Sequence, residues 1–377
     1  MVSRSASVTI IDVAREAGVS KSAAARVLAR NGSASAATRE RVLAAAAKLG
    51  YRPNQLAKAM KSGSTRTIGV IVPDVASSFF SAVLRGLTDS ARAAGFEVLV
   101  SNTDNDPDIE ASSIDLLAEK RVDGIVIAPV FQDEPSAILD IADEGLPVVL
   151  LDRCMPRLEH LPLVCVDHAD ASRQATAALL KLGHRRIALI TETTRTVPEL
   201  QQLARESDLS LLRPSAQRAI GYLRALADAG LNAEDALLVR SGYSVESAAG
   251  AMIGFLDGEH DVTAAHATDA VLTSGAYRAF SAKGMRLPDD LSFVGFDDQD
   301  WTTLVRPAVS VVDQPRQRLG AAAATALIAA IRGNRPEELN VRLNASLLMR
   351  ESAVAAHPGV KAGAEEFRAR PLVQDRW

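Results

Sequence analysis

Short apolar runs alternate with helical stretches along most of this chain, from residue 66 to about residue 350. Residues 68–72 are a continuous apolar run, which is typical of a strand buried on both faces. Further strands are predicted at residues 98–101, 124–128, 148–151, 186–190, 237–240 and 291–296, and helices at 79–94, 169–182, 217–229 and 270–282. This alternation predicts mostly parallel sheets with helices on both faces, and about 280 residues are enough for two such sheets.

The charges divide the 377 residues into a basic head, residues 1–66, and an acidic body. The head holds 12 Lys and Arg against 3 Asp and Glu, a net charge of +9, whereas the body holds 30 against 43, a net charge of −13. A basic head on an acidic body indicates that the head meets a polyanion. A merely solvated basic surface explains the charge alone equally well.

Three short helices are predicted in the head. Thr9 caps the first, and Asp12 follows three residues later, as in a capping box. Gly18 ends this helix and Ser20 caps the second, which runs from residue 21 to about residue 29. The connection between them has the length of a helix-turn-helix turn. A third helix is predicted over about residues 38–49.

The second helix has two different faces. Its inward face consists of small side chains: Ala23, Ala24 and Val27. Its outward face consists of Lys21, Ser22, Ala25 and Arg26. An arginine on such a face is suited to bidentate contact with guanine in the major groove of DNA. The outward face is therefore the candidate for reading a DNA sequence.

These residues resemble the head of the lactose-repressor (LacI/GalR) family of bacterial transcription regulators. The motifs that carry the resemblance are Val8-Thr9-Ile10-Ile11-Asp12-Val13-Ala14-Arg15-Glu16-Ala17-Gly18-Val19-Ser20, Arg26-Val27-Leu28, Thr38-Arg39, Leu49-Gly50-Tyr51-Arg52-Pro53-Asn54 and Leu56-Ala57. The resemblance implies that the second helix lies in the major groove. It also implies that residues 54–61 form a hinge helix that orders on the operator.

The resemblance assigns individual DNA contacts. Lys21, Ser22 and Arg26 match base-reading positions, and Met60 matches the apolar residue that wedges into the minor groove. The other predicted DNA contacts are Ser20, Asn31 and Leu56. Where the family usually has Thr-Val-Ser, this chain has Ala23-Ala24-Ala25, so two hydroxyls that would touch the DNA backbone are missing.

The body resembles the periplasmic-binding-protein-type effector domain of the same family, and the whole resemblance covers roughly residues 8–350. It implies a helix-turn-helix domain at residues 1–52, a hinge helix and linker at 53–65, and a two-lobed body at 66–350 for effector binding and dimerisation. The first lobe is expected to hold residues 66–165 and 298–325, and the second lobe residues 166–297 and 326–350. The chain would then cross between the lobes near residues 165, 297 and 325.

An effector cleft between the lobes follows from the resemblance. Arg218 and Asp297 match the family's effector arginine and aspartate. Asp74 and Asp152 follow predicted strands, where ligands of doubly wound sheets bind, although an aspartate there is as often a turn former. The other predicted lining residues are Phe79, Phe80, Arg153, Tyr243 and Asp269. Carboxylates and arginines suit neighbouring sugar hydroxyls, so a sugar or sugar derivative is the first expectation and a nucleoside or purine the second.

Three further features of the body bear on the site. Thr268-Asp269 stands where the family has Asn-Asp, and that Asn normally bonds a sugar hydroxyl. Residues 191–215 are about a dozen residues longer than is usual, and they form either a disordered insertion, the preferred interpretation, or a lid over the cleft. The tail, residues 351–377, mixes Ala, Gly, Pro and charges and is expected to be mobile.

Several other classes of protein lack support in the sequence. There is no apolar leader and no uncharged stretch of 18 apolar residues, so no membrane partner is expected. The two cysteines, Cys154 and Cys165, suit a reducing compartment, so a cytoplasmic location is expected. The sequence has no glycine-rich phosphate loop, nucleophile elbow or zinc-ligand spacing, so neither an enzyme nor a cofactor is expected.

The sequence therefore predicts a ligand-responsive, sequence-specific DNA-binding transcription regulator. The preferred form is a repressor that a small-molecule effector releases from a palindromic operator. A homodimer is expected, because a palindromic site mirrors two-fold protein symmetry. The alternative is a solute-binding protein without a DNA role, which would need an export signal and no basic head.

Overall fold

The computed structural model describes residues 8–28, 34–51, 64–258, 261–334 and 339–356. The chain forms two compact units, residues 1–66 and residues 67–377, which correspond to the head and the body. The head is helical, and the body contains two mostly parallel sheets with helices on their faces. The predicted fold class, an all-α helix-turn-helix head plus a two-lobed α/β body, is confirmed.

Three helices form the described part of the head: α1 (Ile10–Glu16), α2 (Lys21–Leu28) and α3 (Ala36–Lys48). The Asp12 carboxylate accepts hydrogen bonds from the Thr9 backbone N–H (2.9 Å) and the Thr9 hydroxyl (2.7 Å), as expected of a capping residue. Ser20 Oγ accepts from the backbone N–H of Ala23 (3.1 Å) and so caps α2. The helices meet around small and β-branched buried side chains: Val13, Ala24, Val27 and Val42.

The first lobe is built on a six-stranded parallel sheet. Its strands are β1 (Thr67–Val72), β2 (Glu97–Asn102), β3 (Ile125–Ile127), β4 (Val148–Leu151), β5 (Leu163–Val166) and β11 (Asn340–Leu343). They lie in the order β11-β5-β4-β3-β1-β2. The helices of this lobe are α4 (Ser78–Ala93), α5 (Pro107–Glu119), α6 (Ser136–Asp143) and α13 (Arg316–Ile331). Helices α4 and α13 cover one face of the sheet, and α5 and α6 cover the other.

The second lobe repeats this plan. Its strands are β6 (Ile187–Thr191), β7 (Leu237–Arg240), β8 (Ala264–Ala267), β9 (Ser292–Phe296), β10 (Ser310–Asp313) and β12 (Ser346–Leu348). They lie in the order β12-β10-β9-β8-β6-β7, with β12 antiparallel to β10. The helices are α7 (His168–Lys181), α8 (Val197–Glu206), α9 (Pro214–Asp228), α10 (Val245–Leu256), α11 (Ala270–Ala282) and the short α12 (Trp301–Leu304).

The predicted division of the body between the lobes is wrong beyond residue 297. Strand β10 pairs with β9 and belongs to the second lobe, whereas β11 pairs with β5 and α13 packs on the first-lobe core. The first crossing lies near residue 167, close to the expected place, but the second and third lie near residues 314 and 345. Strands of three or four residues are too short to show a period, so the sequence does not reveal which sheet each one joins.

The insertion, residues 191–215, is ordered, so the preferred interpretation of it as disordered is wrong. It contains α8 and a short 3-10 helix (Leu209–Leu211). Glu199 accepts a hydrogen bond from the Thr196 backbone N–H (2.7 Å), which caps α8, and Leu200 is fully buried. Leu212 packs against the second-lobe core and Leu211 against the first-lobe core. The insertion therefore contacts both lobes, which is compatible with the alternative interpretation as a lid.

The tail is ordered at its start. Ser352 Oγ donates to the carbonyl of Phe293 (2.6 Å), and His184 Nε2 lies 3.0 Å from the carbonyl of Val354. The expectation of a mobile tail is therefore wrong for residues 351–356, because these bonds attach them to the second lobe. Residues 357–377 lie outside the described part of the chain.

Substituting Gly221 with alanine is expected to destabilise the body. Gly221 lies where α9 crosses α7, and a Cβ there would stand 2.0 Å from the carbonyl oxygen of Ala169. Such overpacking costs about 1–3 kcal/mol. Gly250→Ala in α10 is the control: no atom lies within 4 Å of its Cβ, so the helix should gain about 0.5–1 kcal/mol. Urea denaturation of both variants measures the difference, and equal stabilities would contradict the close crossing.

Candidate DNA-binding surface and ligand cleft

Helix α2 exposes the side chains that the sequence assigns to DNA recognition. Lys21, Ser22 and Arg26 are exposed, whereas Ala24 and Val27 face the core of the head. The one-sided burial places a cation, a hydroxyl and a guanidinium on the free face of the helix. This is the arrangement in which a recognition helix reads base edges.

The two cations of α2 are available to a ligand. The ion pairs within the described head join Arg15 to Asp12 (3.3 Å) and Lys48 to Glu16 (2.6 Å), and neither Lys21 nor Arg26 takes part in them. Ser20 caps the helix and lies 3.0 Å from the Ser22 hydroxyl. Three other predicted DNA contacts, Asn31, Leu56 and Met60, lie outside the described residues.

A cleft of about 280 Å³ lies between the two lobes of the body, at the carboxyl ends of their strands. Seven of the predicted residues line it: Phe79, Phe80, Asp152, Arg153, Arg218, Tyr243 and Asp269. The lining is completed by residues that the sequence did not single out as ligand contacts: Ser77, Asn105, Phe131, Glu192, Arg213, Pro214 and Gln314. The structure thus gathers most of the predicted set around one cavity.

His168 does not line the cleft but contacts one lining residue from each lobe. Its Nδ1 lies 3.2 Å from Arg218 Nη2, and its Nε2 lies 3.3 Å from Asp152 Oδ1. Because a guanidinium can only donate, Nδ1 accepts and Nε2 carries the proton, which it donates to the backbone carbonyl of Asp152 (3.2 Å). Burial raises the pKa of Asp152, but its interactions with His168, Arg153 and Arg218 outweigh burial and keep that pKa below its ordinary value. Asp152 therefore presents a carboxylate to the cleft.

Besides its contact with His168, Arg218 is held in a fixed position by three contacts. Its guanidinium lies over the Phe296 ring, 4.3 Å from the centroid, and its Nη1 donates to the carbonyl of Thr268 (2.7 Å). The Asp269 carboxylate is 3.7 Å away. Arg218 Nε is buried and has no hydrogen-bond partner among the described residues. A fixed arginine with one free buried donor is suited to binding a polar ligand.

Asp297 reaches the cleft through Gln314. Asp297 is 1% exposed and does not itself line the cleft, but its Oδ1 accepts a hydrogen bond from Gln314 Nε2 (2.9 Å). Asp297 Oδ2 and Gln314 Oε1 have no partner within the described structure. Burial raises the pKa of Asp297, although Gln314 and Arg218 act in the opposite direction. The pair therefore offers acceptors, and a protonated Asp297 would add a donor.

The backbone holds both strand-end aspartates in an uncommon conformation. Asp152 has a φ of 65° and Asp297 a φ of 63°, in the left-handed region that side chains other than glycine rarely adopt. Aspartate and asparagine adopt this region more readily than other residues. Strained backbone of this kind clusters at binding sites, so the two positions agree with a functional role.

Thr268 and Asp269, which replace the family's Asn-Asp pair, both form hydrogen bonds with the backbone of the second lobe. The Thr268 hydroxyl donates to the carbonyl of Ile190 (3.1 Å), so the side chain serves the sheet. Asp269 caps α11 by accepting from the backbone N–H of Val271 (2.8 Å). Burial raises the pKa of Asp269 to about 7, despite the opposing charge of Arg218. The cleft therefore contains an aspartate that is only partly ionised at neutral pH.

Of the four remaining predicted lining residues, three line the cleft and Asp74 does not. Asp74 does not line the cleft and instead accepts from the backbone N–H of Ala76 (2.8 Å), which is the turn-forming role. Phe79 and Phe80 both line the cleft, pack edge to face at 5.0 Å, and are buried in the first-lobe core. Tyr243 is 45% exposed at the opposite wall.

Sequence reasoning missed His168 and Gln314. Each of them follows the end of a strand: His168 comes two residues after β5, and Gln314 directly follows β10. These are the strand ends at which the chain crosses between the lobes. The signal that could have found them is therefore the strand assignment itself, which was missing for β5 and β10.

A helix-turn-helix head and a two-lobed body with a polar cleft define a DNA-binding transcription regulator with a ligand-binding domain. Residues 9–54 match the family described as "Bacterial regulatory proteins, lacI family", and residues 65–351 match "Periplasmic binding proteins and sugar binding domain of LacI family". The chain belongs to the LacI family.

Individual relatives agree with this assignment. Catabolite control protein A of Priestia megaterium is 31% identical over 316 residues, which are 84% of this chain and 90% of that protein. The Lac repressor dimer bound to operator and the anti-inducer ONPF has a TM-score of 0.78 at 25% identity, covering 93% of this chain and 100% of that one. The CelR–cellobiose complex, also a transcriptional regulator, has a TM-score of 0.64 at 28% identity, covering 92% and 100%.

Among the residues that the structure describes, no helix is both long enough and apolar enough to cross a membrane. Nor does that part of the chain bring together three or more His, Cys, Asp or Glu side chains in an arrangement that could hold a metal ion.

Proposed function

We propose that this protein is a repressor that binds a palindromic operator as a homodimer and leaves it when a sugar or sugar derivative binds the cleft. The observation that carries the proposal is a set of buried polar atoms without hydrogen-bond partners in the described structure: Arg153 Nε, Arg218 Nε, Asp297 Oδ2 and Gln314 Oε1. Each unmet group costs about 1–3 kcal/mol, so a ligand with several hydroxyls would recover that cost.

The residues at the crossings between the two lobes support a ligand-dependent switch. His168 lies at the first crossing between the lobes and contacts Asp152 and Arg218, while Gln314 lies at the second crossing and contacts Asp297. A ligand that binds Asp152 and Asp297 would therefore act on two of the chain segments that cross between the lobes. Ligands act on DNA affinity only through their differential binding to two body states, which is typically a 5- to 150-fold effect.

The comparisons support the two partners separately. The Lac repressor neighbour is bound to operator DNA, and the CelR neighbour is bound to cellobiose. Among ligand classes, a sugar agrees with the mixture of arginine, carboxylate and aromatic side chains in the cleft.

The test begins with DNA selected from a random duplex library by the purified full-length protein. The selected duplex should bind far more tightly than random duplex in fluorescence anisotropy, and binding should weaken steeply with salt because phosphate contacts release counterions. A panel of sugars should then contain at least one that lowers the affinity. Ligand binding with no selected DNA sequence would favour the solute-binding alternative and contradict the proposal.

A further inference from the structure

Two arginines from opposite lobes meet at the cleft. Arg153 follows β4 of the first lobe, and Arg213 immediately precedes α9 of the second lobe at the end of the insertion. Both line the cleft, and each guanidinium rests on an aromatic ring: Arg153 is 6.0 Å from the Phe80 centroid and Arg213 is 4.6 Å from that of Phe131. Like charges are brought together here by the packing of the two lobes.

The pair is not neutralised by strong carboxylate contacts. Arg153 donates to the Asn105 side chain (3.0 Å). Its buried Nε lies 3.7 Å from the Asp152 carboxylate and has no hydrogen-bond partner among the described residues. The Arg213 Nη2 donates to the backbone carbonyl of Phe131 at 3.5 Å. Burial and the positive charge of Arg153 lower the pKa of Arg213, and Glu192 only partly offsets them.

The start of α9 adds positive potential at the same place. This 15-residue helix begins at Pro214, which lines the cleft, and no described side chain caps its first turn. A helix N-terminus carries about half a positive charge and favours anions. One turn further along α9, Arg218 also lines the cleft, is 6% exposed and has a buried Nε without a hydrogen-bond partner among the described residues.

The carboxylates in the cleft compete only in part with an incoming anion. Burial raises the pKa of Asp269 to about 7, so this carboxyl group carries less than a full negative charge near neutral pH, and burial also raises the pKa of Asp297. The Asp152 carboxylate lies 3.3 Å from His168 Nε2 and 3.7 Å from Arg153 Nε. Beyond Arg213, a second cavity of about 510 Å³ shares Phe131, Glu192 and Arg213 with the cleft and so leaves room for a bulky substituent.

We propose that the effector carries an anionic group, a phosphate or a carboxylate, that binds between Arg153 and Arg213 at the N-terminus of α9. The group would relieve the repulsion between the two guanidinium ions and join the two lobes. The neutral part of the ligand would then contact Arg218, Asp152 and the Asp297–Gln314 pair. This inference rests on the proposed function and narrows its ligand class from sugars in general to charged sugar derivatives.

The test uses matched ligands with the full-length protein. Hexoses and pentoses are each supplied in neutral, phosphorylated and uronic-acid forms, inorganic phosphate is added as a separate probe, and binding is measured by calorimetry. One charged form should bind about 10- to 100-fold more tightly than its neutral partner, because hydrogen bonds to charged groups carry that much affinity. The phosphorylated and uronic-acid arms identify which anion is preferred.

Arg153→Gln and Arg213→Gln should each reduce this charge preference by roughly tenfold or more. The control is Arg205→Gln, an exposed arginine of the same insertion that lines neither cavity, and it should keep the full preference. Inorganic phosphate should bind the Arg205→Gln control but neither of the two variants that change the cleft. Unchanged DNA binding by all three variants shows that they are folded.

Three results would overturn the inference. If neutral sugars bind as tightly as their charged forms and release the operator, the effector needs no anionic group. The inference then fails, and the proposed function remains. A charge preference that survives both Arg153→Gln and Arg213→Gln would place the anion elsewhere. If no compound in the panel binds or alters operator affinity, both the inference and the proposed sugar effector fail.

Discussion

Replacing Arg26 with alanine is expected to remove most of the preference of the protein for its operator over random duplex. Arg26 is an exposed arginine on the free face of α2 and forms none of the ion pairs of the described head. A bidentate arginine–guanine contact provides about 1–3 kcal/mol of discrimination, so the preference should fall roughly 5- to 150-fold. Nonspecific binding should persist, because other cations of the head still meet phosphates.

Arg15→Ala provides the matched control for Arg26. It removes the same charge from an exposed position on α1, where Arg15 pairs with Asp12. Both variants should bind random duplex with similarly reduced affinity, but only Arg26→Ala should lose sequence preference. Anisotropy titrations with selected and random duplexes at several salt concentrations measure the two effects. An Arg26→Ala protein that keeps the wild-type ratio would exclude this residue from base recognition.

Replacing Asp297 with asparagine is expected to weaken the effector response while operator binding stays intact. The substitution retains the shape of the side chain, and asparagine tolerates the φ of 63°, so the body should still fold. It replaces a partnerless acceptor and alters the hydrogen bond with Gln314 at the second crossing. Because a hydrogen bond to a charged group contributes about 1.5–3 kcal/mol, half-release should need roughly 10- to 100-fold more effector.

The measurement for Asp297→Asn is release of labelled operator during an effector titration. Asp140→Asn, an exposed carboxylate of α6 that does not line the cleft, is the control and should respond like the wild type. Operator affinity without effector should be equal in all three proteins. A normal response from Asp297→Asn would show that this carboxylate takes no part in the effector response. Lost operator binding would indicate a folding defect.

Local sequence signals anticipated much of the head and the cleft. The spacing of Ala24 and Val27 predicted which face of α2 is buried, because a helix places residues three apart on one side. Asp152 stands at the end of β4, and it lines the cleft because the carboxyl ends of parallel strands open on one edge of a sheet. The positions of Arg218 and Asp297 came from resemblance to the family.

Other residues in or beside the cleft had no local sequence pattern that predicted their position. His168 and Gln314 follow strands of four residues, which are too short for periodicity to reveal. Arg213 lies in an insertion whose extra length favoured disorder, and only the tertiary structure shows that Leu212 and Leu211 pack against the cores of the two lobes. Asp74 has the same local pattern as Asp152, yet it forms a turn outside the cleft.

Sequence alone determined the basic helical head, the buried face of α2, and the alternation of strands and helices in the body. These properties depend on charge, on turn chemistry and on neighbours within a few residues. Tertiary structure decided the order of strands in each sheet, the lobe to which β10, α13 and β11 belong, and the meeting of Arg153 with Arg213. Pairing between distant strands and packing of helices on them select these arrangements, so residues far apart in the chain, not adjacent ones, create the cleft.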